Sequence, residues 1–492
     1  MKTKNCDIAV IGGGPAGLAA AQTAALHGAS VVLIDDATSL GGHFYKKNPL
    51  KFDNPSTRRH QKKLQELIQR EQALTQSGVE ALLGTRVWGI FDETRTTLSK
   101  QAGGQAIAFH LHLDNSSAGV AVVKARSLIL SPGVYDRPFP FPGWELPGVL
   151  TPGAAQIQLE KQGLLPGQRV LVAGSGPLQL VVASELARHG VDVAAILDTS
   201  NVLDGFLELP NALGGLFSRV GEALESMSIL VRKRVPVLFQ HAVYRALGTP
   251  ETGVQGVIIG KVNRQGRPIP GTQRELQVDS ICHAHGFIPS IPLTLHLGCN
   301  HMYDPFLNAF VPKHNENLQT SVPGVFVAGD VTGVGGKPLA DLQGQLAAIT
   351  ALEQLNIISN EQANIKRKRL APAVHREQRF SKWLWKRYRI QPGLLDLIDN
   401  DTLLCRCEAV RVGQFRESIE EGGQNLFGVK LRTRLGMGQC QGRYCMPNAA
   451  LLIAAYNGKA TPALDIPSIR PPLFPVRLKD IDMAEQIVTE NE

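Results

Sequence analysis

Two pairs of cysteines and two glycine-rich turns are the features of this sequence best suited to chemistry. Cys405-Arg406-Cys407 is followed, after 32 residues, by Cys440-Gln441-Gly442-Arg443-Tyr444-Cys445. Four thiolates in two pairs fit a [2Fe-2S] cluster with two cysteines on each iron. Zinc is the structural alternative, but zinc knuckles favour longer spacers than the single residue between Cys405 and Cys407. Gly436 and Gly438, just before Cys440, would let backbone N–H groups reach cluster sulfurs. The other three cysteines, Cys6, Cys282 and Cys299, are scattered. An odd total with one tight group favours metal binding over disulfides.

The first glycine-rich turn follows the apolar run Ile8-Ala9-Val10-Ile11 and reads Gly12-Gly13-Gly14-Pro15-Ala16-Gly17. Gly12 permits the tight turn, Gly14 lets a pyrophosphate approach the backbone, and Gly17 lets the helix sit close to the strand. The helix beginning at Pro15 and Ala16 offers free N–H groups to phosphates. Val31-Val32-Leu33-Ile34 ends at Asp35, placed to accept hydrogen bonds from a ribose. A distant segment, Ser321 to Asp330, resembles the late flavin motif of two-dinucleotide-domain flavoproteins. That resemblance implies FAD, with Gly329 and Asp330 at the ribityl–phosphate region. It also implies contacts at Gly42, His43, Val87 and Gly133. Two departures stand out: His43 replaces the usual Gln, and Ser131-Pro132-Gly133 replaces Ala-Thr-Gly. His43 is read as a hydrogen-bonding substitute for Gln or as a proton shuttle.

The second turn, Gly174-Ser175-Gly176-Pro177-Leu178-Gln179, follows Arg169–Ala173 and precedes a strand that ends at Asp198. Gln179 stands where the third glycine belongs, and Val181 stands where related reductases often carry an acid. No basic residue follows Asp198 closely enough to hold a 2′-phosphate. A dinucleotide-binding fold is expected here, with Gly174 and Gly176 as its nucleotide contacts and poor hydride delivery from NAD(P)H. The region has no Cys-x-x-Cys, so the redox chemistry of thioredoxin reductases is excluded.

These motifs need scaffolds. At 492 residues the chain is too long for one core. The expected class is α/β, with two Rossmann-like domains and a small C-terminal ferredoxin-like domain. Residues 1–150 and 300–360 form the FAD-binding domain, and 151–299 the degenerate second nucleotide domain. A basic linker is expected over 361–400, the cysteine domain over 401–460, and a proline-rich tail over 461–492. Ile107, Phe109, Leu111 and Leu113 alternate as a half-buried strand should. The tail from Pro462 to Pro475 is expected to pack on a neighbouring chain. The net charge of +8 comes largely from 366–389. That stretch reads as a solvated face or, with Trp383 and Trp385, as a docking surface. The start has no secretory signal pattern, and no run of 18 apolar residues occurs. A cytoplasmic protein, or one peripheral on the inner membrane, is therefore expected. No motif accompanies the positive charge that would suggest nucleic-acid binding.

The order of motifs resembles, over nearly the whole chain, the A or alpha subunits of bacterial multi-subunit amine and imino-acid dehydrogenases. Opine oxidase, D-hydroxyproline dehydrogenase and hydrogen cyanide synthase have such subunits. Asp136-Arg137-Pro138-Phe139-Pro140-Phe141-Pro142-Gly143-Trp144, then Gly148–Ala154, is typical of them. The cysteine block resembles bacterioferritin-associated ferredoxin, except that its last pair is spaced by four residues where the small ferredoxin has two. The resemblance implies a subunit that relays electrons from an FAD-containing, amine-oxidising beta subunit holding the small-molecule substrate. Further implied options are a small third subunit, FMN at a subunit interface, and an adenine nucleotide in the second site. A stand-alone NAD(P)H-dependent flavin reductase with a ferredoxin appendage is the alternative. The sequence carries no constellation of a nucleophile with its base, so catalytic residues are unassigned.

Overall fold

The structure is a computed structural model that describes residues 2–45, 58–92, 109–114, 119–201, 209–423, 425–458 and 466–481. Ile107 and Pro462, both named above, lie outside the described residues.

The first sheet grows from β1 (Lys2–Ile11), whose apolar run is buried on both faces, as a central parallel strand requires. Helix α1 (Pro15–Leu26) follows, with proline in its first turn, where a missing N–H costs nothing. Then come β2 (Val31–Ile34), α2 (Arg58–Gln76), β3 (Glu80–Leu82), β4 (Arg86–Asp92), β5 (Phe109–Asp114) and β6 (Val120–Leu130). The sheet order is β3-β2-β1-β6-β5-β4. The β1 pairings to β2 and β6 are parallel, whereas β4, β5 and β6 run antiparallel.

The chain then leaves through β7 (Val134–Asp136) and enters the second domain at β8 (Val149–Leu150) and α3 (Pro152–Ile157). The strand–turn–helix pattern recurs in β9 (Arg169–Ser175), α4 (Leu178–Arg188) and β10 (Asp192–Asp198). It continues through α5 (Leu209–Arg232) and β11 (Val237–Phe239). An antiparallel trio, β12 (His241–Thr249), β13 (Gly253–Lys261) and β14 (Arg274–Leu276), precedes β15 (Ser280–His285). The main sheet runs β11-β10-β9-β15-β8.

Strand β16 (Phe287–Pro289) returns antiparallel to β7, so the two crossings lie side by side. Next come α6 (Pro292–His296), the hairpin β17 (His301–Asp304) and β18 (Ala309–Pro312), and β19 (Val325–Val327). Leu293, Leu297 and Cys299 already belong to the core of the first domain, so the exchange between domains occurs near 134–136 and 287–289. Strand β19 joins β6 in parallel, with Phe326 opposite Ile129. Helix α7 (Gly336–Gln354) then packs on α1 so closely that a Cβ on Gly344 would lie 2.1 Å from the Ala16 carbonyl oxygen.

The expected basic linker is instead a 28-residue helix, α8 (Asn360–Arg387). Ser359 and Gln362 form a capping box at its start. Its charges hide a packed face: Ala363, Val374, Phe380 and Trp385 are buried. The buried Glu377 meets Arg219 of α5 at 2.9 Å. Glycine at 215 makes the approach possible, since a Cβ there would lie 2.5 Å from that of Phe380.

The small last domain contains β20 (Leu403–Cys405), β21 (Val410–Arg411), α9 (Val412–Glu420), α10 (Leu426–Thr433) and α11 (Cys445–Asn457). Its core of Leu404, Val412, Phe415, Val429 and Ile453 is continuous with Phe139 of the crossing between β7 and β8 and with Val262 of the second domain. Trp144 Nε1 donates to the Leu403 carbonyl at 2.6 Å, and Asn448 Nδ2 to the Pro138 carbonyl at 2.8 Å.

The tail also differs from expectation, because its described part packs on its own chain. Leu473 is buried in the first domain's core, and its N–H donates to the Trp88 carbonyl at 2.9 Å. Burying such a side chain contributes roughly 2 kcal/mol toward holding the tail on the domain. Arg477 pairs with Asp480 and lies 3.6 Å from Asp114. Among the described residues no helix is long and apolar enough to cross a membrane.

Candidate functional site

At the first turn Gly12 has φ +105°, a conformation that favours glycine. A Cβ on Gly17 would strike the Gly12 carbonyl oxygen at 1.8 Å, so the helix rests directly on the turn. Gly14 differs: a Cβ there meets nothing described within 4 Å, leaving room above the N-terminus of α1. Asp35 ties the end of β2 to this turn, accepting from Gly13 N–H and, at 2.8 Å, from Ala37 N–H. Burial raises its carboxyl pKa although part of its surface remains open.

Several expected contacts gather at this point. Gly42 (φ +58°) comes so close that its Cβ would lie 3.0 Å from Gly14 Cα. Gly329 (φ +80°) sits against Ala16, and Asp330 accepts from Gly335 and Gly336 N–H groups, both at 3.0 Å. Dehydration raises the Asp330 carboxyl, yet this side chain too is only half-buried. The Ser131 hydroxyl donates to the carbonyls of Ile11 and Gly12 at 3.0 Å, which gives the unusual serine a role in bracing the turn. Gly133 has φ +73°, and its carbonyl accepts from Ser290 N–H at 3.0 Å. His43 is exposed, and Val87 is buried within β4. Gln343 was not anticipated. Its Oε1 accepts from Gly329 N–H at 2.9 Å, and its amide reaches Thr332. Its signal is faint, because the same helix also carries Gln345 and Gln354. An open backbone turn flanked by half-open, dehydrated carboxylates fits an FAD with its pyrophosphate at Gly14 and its hydroxyls at the acids.

The second turn repeats the strand–turn–helix order with a different backbone, since Gly176 has φ +132° where Gly14 has φ −75°. Gly174 (φ +131°) is pressed on β15, where a Cβ would lie 1.8 Å from the Ala284 carbonyl oxygen. Gln179 turns inward. With its amide oriented to satisfy both ends, it accepts from Ser175 N–H at 2.5 Å and Gly174 N–H at 3.0 Å, and donates to the Leu197 carbonyl at 3.2 Å. Asp198 is buried and bonded to Ser200 N–H at 2.8 Å; burial raises its carboxyl pKa, and the Ser200 bonds and, to a smaller extent, Arg387 oppose the rise. The Ser175 hydroxyl donates to the Tyr388 carbonyl at 2.9 Å. The C-terminal end of α8 thus lies on this turn, although Gly176 itself has nothing described within 4 Å.

The four clustered cysteines meet in one cavity of 290 Å³, which Phe141, Trp144, His283, Arg406 and Tyr444 also line. All are free thiols. Cys405 contacts Cys445, and Cys407 contacts Cys440. The bond from Cys445, helped by backbone N–H groups of Glu408, Gly436 and Cys407, brings the Cys405 pKa down to about 6. The same contact and burial push Cys445 up, and burial raises Cys407. Gly438 leaves the space these sulfurs need, since its Cβ would lie 2.3 Å from that of Cys407. Two thiol pairs on one cavity, with donated backbone N–H groups, suit a two-iron cluster.

Comparison with known proteins agrees with this geometry. Residues 6–351 match the pyridine nucleotide-disulphide oxidoreductase family, and residues 403–455 match the BFD-like [2Fe-2S] binding domain. The opine oxidase A subunit of Agrobacterium tumefaciens is 31% identical over 96% of this chain and 91% of its own. Hydrogen cyanide synthase subunit HcnB of Pseudomonas aeruginosa is 30% identical over 89% of this chain and 90% of its own. The crystal structure of L-proline dehydrogenase from P. horikoshii shares the fold, with a TM-score of 0.68 at 21% identity over 98% of this chain and 80% of that one. The chain therefore belongs to the family of the opine oxidase A subunit and hydrogen cyanide synthase subunit HcnB, and is an FAD and [2Fe-2S] oxidoreductase subunit on the pyridine nucleotide-disulphide oxidoreductase fold.

Proposed function

We propose that this chain relays electrons within a hetero-oligomeric dehydrogenase or oxidase whose partner oxidises an opine, D-hydroxyproline or a related amino or imino acid. The observation that carries this reading is the contrast between the first turn, whose acid Asp35 is half-buried, and the second, where Asp198 is buried, Gln179 holds the turn's N–H groups and the Tyr388 carbonyl accepts from Ser175. A chain with a flavin site and a cluster site, but no evident nicotinamide route, takes its electrons from elsewhere. The relatives' names point to the source, because opine oxidase and hydrogen cyanide synthase are multi-subunit enzymes by name.

When bound, FAD accepts an electron pair and the cluster carries single electrons, so together they divide a two-electron oxidation. In this reading Gly12, Gly14 and Gly17 seat the pyrophosphate, Asp35 orients a ribose and Asp330 holds the ribityl–phosphate region. Cys405, Cys407, Cys440 and Cys445 hold the cluster. The electron donor is a partner flavoprotein that carries FAD and oxidises the amine, with room for FMN at the interface and for a small third subunit. The chain should be purified from its native host, and co-purifying chains and bound cofactors identified. Expressed alone it should show no dye-linked amine oxidation, and co-expression with the co-purifying flavoprotein should restore it. Amine oxidation by the isolated chain would overturn the relay.

A further inference from the structure

We propose that the four-residue spacer between Cys440 and Cys445 docks the cluster's ligand loop on the flavin-binding domain, with Arg443 as the positioning residue. Three distant segments meet at this side chain. Its guanidinium carbon lies 4.5 Å from the ring centre of Phe474 in the tail and 5.1 Å from that of Tyr135 in β7. The neighbouring Tyr444 meets Tyr135 edge-on, with ring centres 6.3 Å apart.

Each anchor leads to a fixed part of the first domain. The Tyr135 hydroxyl accepts from the Ser290 hydroxyl at 3.3 Å, and Ser290 N–H donates to the Gly133 carbonyl, a position read as a flavin contact. Phe474 follows Leu473, which is buried in the same domain's core. The loop itself can turn because Gly442 has φ +80°.

The chemistry of the contact is specific. Arg443 has no ion-pair partner among the described residues, and its Nε is buried without a hydrogen-bond acceptor. It is held by its faces. A planar, weakly hydrated guanidinium can lie between two rings, whereas a strongly hydrated ammonium cannot do so equally well. Arg443 and Tyr444, half of the spacer, make these contacts, and Gly442 provides the turn that presents them. The spacer is therefore the element that fixes the ligand loop relative to the flavin strand, and the tail closes over it.

This goes beyond the relay reading and is independent of it, because the flavin can be reduced by light and a deazaflavin without any amine. The test uses the full chain loaded with both cofactors, comparing Arg443→Ala, Arg443→Lys, Phe474→Ala and the double alanine variant. FAD content and two irons per chain should persist. Amide exchange at Leu473 and over 441–445 should speed up about tenfold in Arg443→Ala, as expected for losing one desolvated cation–π contact. Transfer from light-reduced flavin to the cluster, read from the reduced cluster's paramagnetic signal, should slow, because a loosened ligand loop no longer holds the two groups at a fixed separation. Lysine should recover only part of both effects, and the double variant should be no worse than the worse single one. Phe474→Ala leaves the ligand loop intact, so it decides the matter if Arg443→Ala fails to take up a cluster. Unchanged exchange at Leu473 in Arg443→Ala, or fully additive single effects, would overturn the proposal.

Discussion

A Cβ placed on Gly14 of the first turn, like one on Gly176 of the second, meets nothing within 4 Å among the described residues, but Asp35 is only half-buried. At the second turn the corresponding acid, Asp198, is buried, the Tyr388 carbonyl accepts from the Ser175 hydroxyl, and the inward Gln179 amide holds the backbone N–H groups. The same strand–turn–helix unit has thus been kept once as a ligand cradle and once as a structural joint. The difference comes from what the rest of the chain places on the turn.

The largest effect that would separate the two turns is a blocked pyrophosphate path. Gly14→Val should abolish FAD binding, whereas Gly176→Val should leave the protein yellow. FAD released on denaturation measures both, and a yellow Gly14 variant would break the comparison. A similarly complete effect is expected at the cluster. Cys440→Ser should lose labile sulfide and the two-iron paramagnetic signal, while Cys299→Ser should keep them. One zinc per chain with no sulfide would contradict the assignment.

Next in size is Gln179→Gly, which restores the glycine pattern. It should cost about 2 kcal/mol in denaturant unfolding, because buried N–H groups lose their acceptor. It should still not confer NADH oxidation, since Arg387 and Tyr388 stay in place. The smallest effect is expected for His43→Gln. His43 is exposed, so FAD affinity should change by less than about threefold in a fluorescence titration.

The parts that were legible in sequence are those whose meaning is local. Gly12, Gly14 and Gly17 declare a turn through fixed spacing after an apolar strand, and the four cysteines declare a cluster in the same way. What stayed hidden depends on long-range contact. Ser175 and Tyr388 are 213 residues apart, and nothing near either residue announces their bond. The stretch 361–400 reads as a linker because ten Lys and Arg residues crowd 366–389. Yet Phe380 and Trp385 are enough to seat a helix where Gly215 opens a groove. The tail reads as unable to fold alone, which holds only until Trp88 and Phe474's partner Arg443 are brought to it.

The central claim is that the flavin of this chain is not fed by a nicotinamide on the chain's own second turn. Anaerobic stopped-flow mixing of the FAD- and cluster-loaded protein with excess NADH, then NADPH, tests it most directly. The relay account predicts that flavin absorbance stays essentially unchanged over minutes, and that it bleaches once the co-purifying flavoprotein and its amine are added. Rapid stoichiometric bleaching by NADH alone would contradict it and make the chain a nicotinamide-dependent reductase.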